Sequence, residues 1–422
     1  MRIGIDIRIL AKGTRTGVEN YTINLLSRLL PLDKSVKYRL FYNGFRKLKI
    51  NYPWLKSSNV KIKSLRIPNR IFDLILRFFK FPQLDKILKG VDIFLSPHFL
   101  LAPTSGQAKN IIIFYDLSFV RFPEFFSLPK LLWHKFVYPQ RQAQKADVIV
   151  AISESTRKDL VNLYQIDAEK IKVIYPGIDE KFRPINRNDP ELLRVRKKYN
   201  LPIDERSFIL YFGTIEPRKN ILALIRAFEQ IKEEKNLPPL QIQWRGFEGL
   251  VKKEEQGIDF SALKLVITGA KGWLYKEVFK KAENSSFGKD IIFTGYIDEE
   301  DKPYLYNLAE VFVYPSFFEG FGLPPLESMA CGVPTVVSNN SSLPEVVREG
   351  AVMIDANNID ELSFAIRKIL ESRELRNYLA AKGLKRAKQF NWNKTAEEFL
   401  EIFKNYDKLT LPEGSAGKKN RH

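Results

Sequence analysis

Cysteine is nearly absent from this 422-residue chain: Cys331 stands alone, which excludes an internal disulfide framework and fits a reducing compartment. Lying in an apolar helix end, it reads as a packed core thiol rather than a nucleophile. Histidine is scarce too, at three residues. His98 follows a strand end in S-P-H-F and reads as structural, His134 lies in a helix and His422 in the tail. No apolar run approaches the ~18 uninterrupted residues of a membrane span. The start, M-R-I-G-I-D-I-R-I-L, has neither a long apolar h-region nor a small-residue cleavage site, so a cytoplasmic location is expected. Acid is in deficit, with 49 Asp and Glu against 68 Lys and Arg, a net charge of +19 and a pI of about 9.6. That excess favours polyanions, whether nucleic acid, anionic lipid or phosphorylated substrate, and charge alone does not choose among them.

What is present is 45% hydrophobic, ordinary for a soluble globular chain, at a mass of 49.0 kDa that makes two domains of about 200 residues the default. Strand-like runs at 3–10, 38–42, 60–65, 93–96, 111–115 and 148–152 alternate with helical segments, implying an α/β fold with mostly parallel, doubly wound sheets. The second half repeats the pattern, with strands expected at 207–213, 265–269, 291–295, 311–315 and 333–338 and helices from 343 to about 390. The expected domains are 1–185, a linker at 186–206, 207–390, and a terminal helix within 391–410. An irregular polar stretch at 237–264 reads as a surface insertion, and the tail from Leu411 as disordered.

Chemistry concentrates at residues 319–327, E-G-F-G-L-P-P-L-E, between the strand at 311–315 and a short helix ending near Cys331. Gly320 and Gly322 permit close backbone approach, a proline suits the first helical position, and the helix N-terminus offers an anion site. Glu319 and Glu327 beside such a site would repel a bare phosphate but accept hydrogen bonds from hydroxyls. A ligand carrying both phosphate and hydroxyls, such as a sugar nucleotide, satisfies both demands. The alternative is a helix-favourable acid at 327 and a solvated loop acid at 319. Arg218 and Lys219, in T-I-E-P-R-K-N at an expected strand-to-helix turn, are placed to meet a diphosphate or are a surface basic pair. Gly17 belongs to a loop between the first strand and first helix, a ligand-facing position in doubly wound folds or a plain tight turn. Asp116 closes the strand at 111–115. In residues 69–90, Ile71, Leu74, Ile75, Phe78 and Phe79 form an apolar stripe flanked by Arg70, Arg77, Lys80, Lys86 and Lys89. Such a helix either faces a core or lies on an anionic membrane surface.

The E-x7-E spacing resembles the signature of the large retaining family of GT-B glycosyltransferases, which includes bacterial mannosyl- and glucosyltransferases of surface-polysaccharide assembly. The run K-V-I-Y-P-G-I-D from Lys172 resembles the family's V-I-x-N-G-I-D, and Asn391-Trp392-Asn393 its break before a last helix that crosses back to the first domain. The resemblance implies two Rossmann-like domains across a cleft, with the loop of Gly17 at that cleft. Glu319 would contact the transferred sugar and Glu327 the ribose, while the amides of Phe321, Gly322 and Leu323 sit near the diphosphate and sugar. Arg218 and Lys219 would meet the phosphates beside Thr214, which stands where the family often has arginine, and backbone near Tyr296 and Ile297 would meet the base. Tyr115-Asp116 replaces the family's His-Asp on the acceptor or sugar side, and tyrosine cannot shuttle a proton near neutrality.

The implied activity is retaining hexosyl transfer from GDP-mannose or a UDP-hexose to a glycan or lipid-linked acceptor. The T-I-E-P-R-K-N and Y-D-L-S-F-V-R-F-P-E-F-F stretches look most like the mannosyltransferase branch. No cofactor, no metal and no nucleic-acid partner is expected. The acids at 298–301 resemble a helix N-terminal cluster, without the spaced D-x-D that holds a divalent ion in other glycosyltransferases. A sugar-nucleotide epimerase or an inactive sugar-nucleotide-binding relative would share the architecture. Location at the inner face of the membrane, as a peripheral protein, fits the basic helix.

Overall fold

A computed structural model describes residues 1–12, 17–44, 52–202, 208–233 and 259–406. Most of the expected insertion at 237–264, part of the linker at 186–206 and the tail from Leu411 therefore lie outside the described residues. The chain divides into two compact units, one formed by residues 1–121, 128–177 and 391–422, the other by 122–127 and 178–390.

In the first unit the strands are β1 (Arg2–Asp6), β2 (Lys37–Asn43), β3 (Val60–Leu65), β4 (Ile93–Ser96), β5 (Lys109–Phe114), β6 (Val148–Ala151) and β7 (Ile171–Val173). Among the described residues they form one parallel sheet in the order β3-β2-β1-β4-β5-β6-β7. Strands such as β4 and β6 are buried along their whole length, as strands covered on both faces must be. The edge strand β3 instead exposes Lys61 and Lys63, charges that discourage further strand pairing.

The helix Gly17–Leu32 turns Tyr21, Leu25, Leu26 and Leu29 into the core as the 3.6-residue period predicts. The closing helix Trp392–Lys404 packs on it within the same unit. Asn391 caps that closing helix, its Oδ1 accepting from the Asn393 amide at 2.7 Å.

Three expectations are corrected here. The first strand ends at Asp6 rather than continuing to residue 10, because the Asp6 carboxylate accepts from the Arg8 amide at 3.0 Å and bends the chain into a 3-10 turn. Residues 69–90 do not form one helix. The helix Asn69–Phe79 stops at Lys80, which takes a left-handed φ of 51°, and a short helix Leu84–Ile87 follows. Its core contact runs through Phe72 and Leu76, packed with Phe41, Leu84, Leu88 and Phe94, while Ile71, Leu74, Phe78 and Phe79 stay exposed.

The second unit holds β8 (Phe208–Phe212), β9 (Lys264–Thr268), β10 (Ile291–Gly295), β11 (Val311–Tyr314), β12 (Thr335–Ser338) and β13 (Val352–Ile354). The last is the third correction: an all-helical run was expected after residue 343, and the three-residue apolar stretch pairs with β12. The parallel sheet runs β10-β9-β8-β11-β12-β13. Counted within the unit this is the Rossmann order 3-2-1-4-5-6, whose ligand crevice lies outside the carboxyl ends of the two strands where the order reverses. Those strands are β8 and β11, paired in parallel through Val311 with Ile209 and Phe312 with Leu210.

Candidate active site

The turn after β8 and the loop after β11 are tied together by backbone and side chain. Gly213 and Ile215 anchor the β8 turn to the neighbouring loop, their amides donating to Thr268 O at 2.9 Å and Ala270 O at 3.0 Å. Pro217 then opens a one-turn 3-10 helix, Pro217–Lys219, that ends at Asn220 in the left-handed region with φ 55°. The Phe317 amide donates to Arg218 O at 2.9 Å, and Arg218 Nη1 donates to Phe318 O at 2.6 Å. Two segments about a hundred residues apart in sequence thus become neighbours because their strands are neighbours.

Four charged groups meet there. Lys219 Nζ donates to Glu319 Oε1 at 2.6 Å and to the Tyr314 hydroxyl at 2.7 Å. Arg218 forks onto Glu216 Oε1 at 2.9 and 3.2 Å and reaches Glu319 Oε2 at 3.4 Å. Lys219 and Glu319 are each only 6% exposed. Burial, and then the adjacent Arg218 charge, hold the Lys219 ammonium below the usual lysine range against the pull of Glu319. Burial would raise the Glu319 carboxyl, but the Lys219 and Arg218 charges outweigh it and hold it below the ordinary range. At neutral pH the acid is ionised.

The backbone of the motif is shaped by one glycine. Gly322 takes φ 103°, ψ 54° just before the helix Leu323–Ala330, and a Cβ there would meet Leu343 Cδ2 at 2.7 Å. Leu323, not a proline, is the first helical residue. Pro324 and Pro325 follow and carry no N–H, so neither contributes an amide donor at this turn. Ser342 Oγ pins the loop by donating to Glu319 O and Phe321 O, both at 2.9 Å, and the Glu319 amide donates to Ser341 Oγ at 2.9 Å. Glu327 lies one turn into the helix, where the Tyr306 hydroxyl donates to its Oε2 at 2.8 Å. Burial raises its carboxyl above the usual range despite Lys302 and Tyr306.

The structure brings Arg218, Lys219 and Glu319 into one cluster, with Thr214 exposed on the same turn. Glu327 lies on the helix that the same loop feeds. Tyr296 and Ile297 are elsewhere, after β10, which β9 separates from β8; Tyr296 is exposed and Ile297 buried. The acids at 298–301 directly precede the helix Lys302–Asn307, with Asp301 at its N-cap position but no side-chain cap bond. Asp301 instead accepts from Lys198 Nζ at 2.6 Å, Tyr199 at 2.7 Å and Arg194. No group of three or more acids, histidines or cysteines placed to hold a metal occurs among the described residues.

In the first unit Gly17 is exposed at the start of its helix, with open space where a Cβ would stand. Tyr115 packs edge-on against Tyr21 at 5.2 Å between ring centroids, and burial pushes its phenol far above the ordinary range, so it stays protonated. Asp116 Oδ1 accepts from the Ser118 amide at 2.9 Å and the Ser118 hydroxyl at 2.6 Å. His134 stacks on Phe119 at 3.7 Å, and burial lowers it to about 4, a neutral structural imidazole. His98 packs among Phe99, Tyr115 and Trp133.

Sequence reasoning passed over Glu216, Tyr314 and Tyr306. Glu216 could have been found as the acid inside T-I-E-P-R-K-N. Tyr314 ends a strand and Tyr306 lies in a short helix, and both read as ordinary core aromatics.

Comparison with known proteins adds three findings. Residues 194–386 match the family described as glycosyl transferases group 1, and residues 15–182 match glycosyltransferase family 4. The chain is similar to the O-antigen chain mannosyltransferase B of Escherichia coli, 32% identical over 313 residues that span 74% of each protein. Among solved structures it is similar to sucrose-phosphate synthase from Thermosynechococcus elongatus, with a TM-score of 0.72 at 19% identity over 96% of this chain and 99% of that one. HepE from Anabaena, in complex with UDP and glucose, matches with a TM-score of 0.68 at 17% identity over 96% and 99% of the two chains.

Proposed function

The chain belongs to the group 1 glycosyltransferases and has two parallel-sheet Rossmann-like units of the GT-B class, and from that premise we propose that it is a retaining hexosyltransferase, with mannose the leading sugar. The donor is a nucleotide diphosphate sugar, GDP-mannose first and UDP-hexoses next, and the acceptor is a hydroxyl of a glycan or lipid-linked saccharide. One observation carries this reading: the strand order reverses between β8 and β11, and the loops leaving those two strands deliver Arg218, Lys219 and Glu319 to one place. The name of the mannosyltransferase relative supports the choice of sugar.

As the anomeric bond breaks, negative charge collects on the departing diphosphate. Lys219, Arg218 and the amides of Phe321, Gly322 and Leu323 are the groups positioned to meet it, and removing one such contact typically costs about 3–4 kcal/mol of barrier. The ionised Glu319 accepts from a hydroxyl of the transferred sugar, and Glu327 from the ribose. A phosphate oxygen of the donor takes the acceptor proton on the face the diphosphate leaves, which gives retention. This route invokes no cofactor and no metal.

Lipid-linked acceptors place the enzyme at the inner face of the membrane. Support comes from the helix Asn69–Phe79 and its exit, where Phe78, Phe79 and Phe81 are 72%, 77% and 66% exposed beside Arg70 and Lys80. No described helix is long and apolar enough to cross a membrane.

The test is incubation with a panel of nucleotide sugars, with and without lipid-linked acceptors, following nucleotide release and the anomeric configuration of the product. Release that depends on acceptor, with retained configuration, is expected. Release without acceptor identifies an epimerase, an inverted product refutes retention, and no release from any donor marks an inactive relative.

A further inference from the structure

Tyr314 ends β11 at the floor of the cluster, fully buried, its ring stacked with Tyr211 and Phe312 at 5.9 Å from each. This packing fixes the hydroxyl independently of any ligand. An ammonium has three donors, and at Lys219 two are used, on Glu319 and on Tyr314. The third has no partner among the described residues.

We infer that Tyr314 is a positioning residue, a neutral anchor that holds the Lys219 ammonium toward a diphosphate once Glu319 turns to the sugar. The inference rests on the reading of Lys219 as a cation that meets the donor diphosphate. With Glu319 as its sole anchor, the ammonium would be held only by the charge that neutralises it, and would follow the carboxylate when that carboxylate engages a hydroxyl. A phenol oxygen holds the cation without cancelling its charge. The Tyr314 phenol is suited to this because burial, and then the Glu319 charge, drive it well above the ordinary range and keep it un-ionised.

The decisive variant is Tyr314→Phe, which keeps the ring and its stacking and removes the hydroxyl that anchors Lys219 and also bonds Glu319. Its kcat is expected to fall about 10- to 100-fold, the scale of a displaced reacting group. Its affinity for the nucleoside diphosphate should weaken while that for the bare nucleoside does not. Because an ammonium stripped of an acceptor gives up its proton more easily, the alkaline limb of the rate profile should move to lower pH. Tyr211→Phe removes a hydroxyl from the same stack, one that reaches Thr214 O at 3.4 Å rather than Lys219, and should change none of these. Thermal melting of both variants checks the fold. If Tyr314→Phe keeps wild-type kcat and an unmoved alkaline limb while Lys219→Ala is inactive, Tyr314 is packing alone and the inference fails. If Lys219→Ala is itself active, the reading of the site fails instead.

Discussion

Cutting one charge from the Lys219–Glu319 pair offers the sharpest test, because stability and turnover should fall together and for a calculable reason. In Glu319→Ala an ammonium only 6% exposed in the wild type is left with Tyr314 as its remaining partner, while Arg218 keeps Glu216 and Phe318 O. Breaking a buried pair typically costs about 3–5 kcal/mol. An escape route caps the loss: lysine can fold neutral, and deprotonating a side chain of pKa about 10.4 at pH 7 costs about 1.36 kcal/mol for each of roughly 3.4 units, or about 4.6 kcal/mol. With Tyr314 still accepting, a loss of about 3 kcal/mol is expected. Lys219→Met should cost less, since Glu319 retains Arg218 at 3.4 Å.

The pH dependence has a definite sign. A lysine whose folded pKa is depressed binds fewer protons folded than unfolded, so stability rises with pH between the folded value and the ordinary lysine range. Removing Glu319 depresses that value further and widens the window. The Glu319→Ala deficit should therefore shrink as pH climbs from 7 toward 10. Urea unfolding of the wild type, Glu319→Leu, Lys219→Met and the double variant completes a cycle. Replacing both charges by apolar groups can be nearly neutral, so the double variant should lose less than the two single losses added together, by about 3 kcal/mol or more. All three variants should lose most donor turnover. Losses that add to within about 0.5 kcal/mol would show that the two groups do not act as a unit, and wild-type turnover in Glu319→Ala would refute the site.

Gly322→Ala places a Cβ at φ 103° and 2.7 Å from Leu343 Cδ2, so it should lose about 1–3 kcal/mol and most turnover; melting and nucleotide release on the variant decide this. Burial would raise the Asp301 carboxyl, but bonds from Arg194, Lys198 and Tyr199 hold it at about 2. Its contribution is complete above about 3.8 and lost as pH falls toward about 2. Asp301→Asn should be less stable at pH 7, and its unfolding midpoint should flatten across that acid window; an unchanged acid slope sinks the assignment. Replacing Phe78 and Phe79 by serine should leave the melting temperature unchanged and abolish co-sedimentation with anionic vesicles, since both rings are exposed. Wild-type protein that ignores the lipid charge would remove the membrane surface from the proposal.

How much of this was legible depended on whether a feature is local. Strands such as β4 and β11 announce themselves because a strand buried on both faces must be apolar throughout. β13 escaped notice because three residues between helices carry no period. The stop at Asp6 depends on a side chain bonding its own neighbourhood, which alternation of isoleucines hides. The stripe of Ile71, Leu74, Phe78 and Phe79 was visible, yet periodicity could not say that Phe72 and Leu76 would take the core. In the site, the glutamates and the basic pair stand out because each follows an expected strand. Their meeting depends on the lateral order of β8 and β11, which no local pattern contains. Tyr314 was invisible for the opposite reason: a tyrosine in V-F-V-Y is what a buried strand should contain, and only coordinates reveal that its hydroxyl faces a lysine.

The charge arrangement itself argues for function over architecture. Glu216, Arg218, Lys219 and Glu319 sum to no net charge and are largely removed from water. Apolar side chains of the same volume would hold the two loops together at least as well, because desolvating ions costs about what their attraction returns. The two loops already have a backbone tie of their own in the Phe317 amide, and the Ser342 hydroxyl pins the second loop separately. Fixed charges at the carboxyl ends of the two strands where the sheet reverses are thus a poor device for stability. They are a good one for chemistry, since dipoles and ions oriented before the reaction need not reorganise during it. A ligand that supplies both a diphosphate and hydroxyls gives the cations an anion and the carboxylates hydrogen-bond donors, and releases none of them into an apolar void.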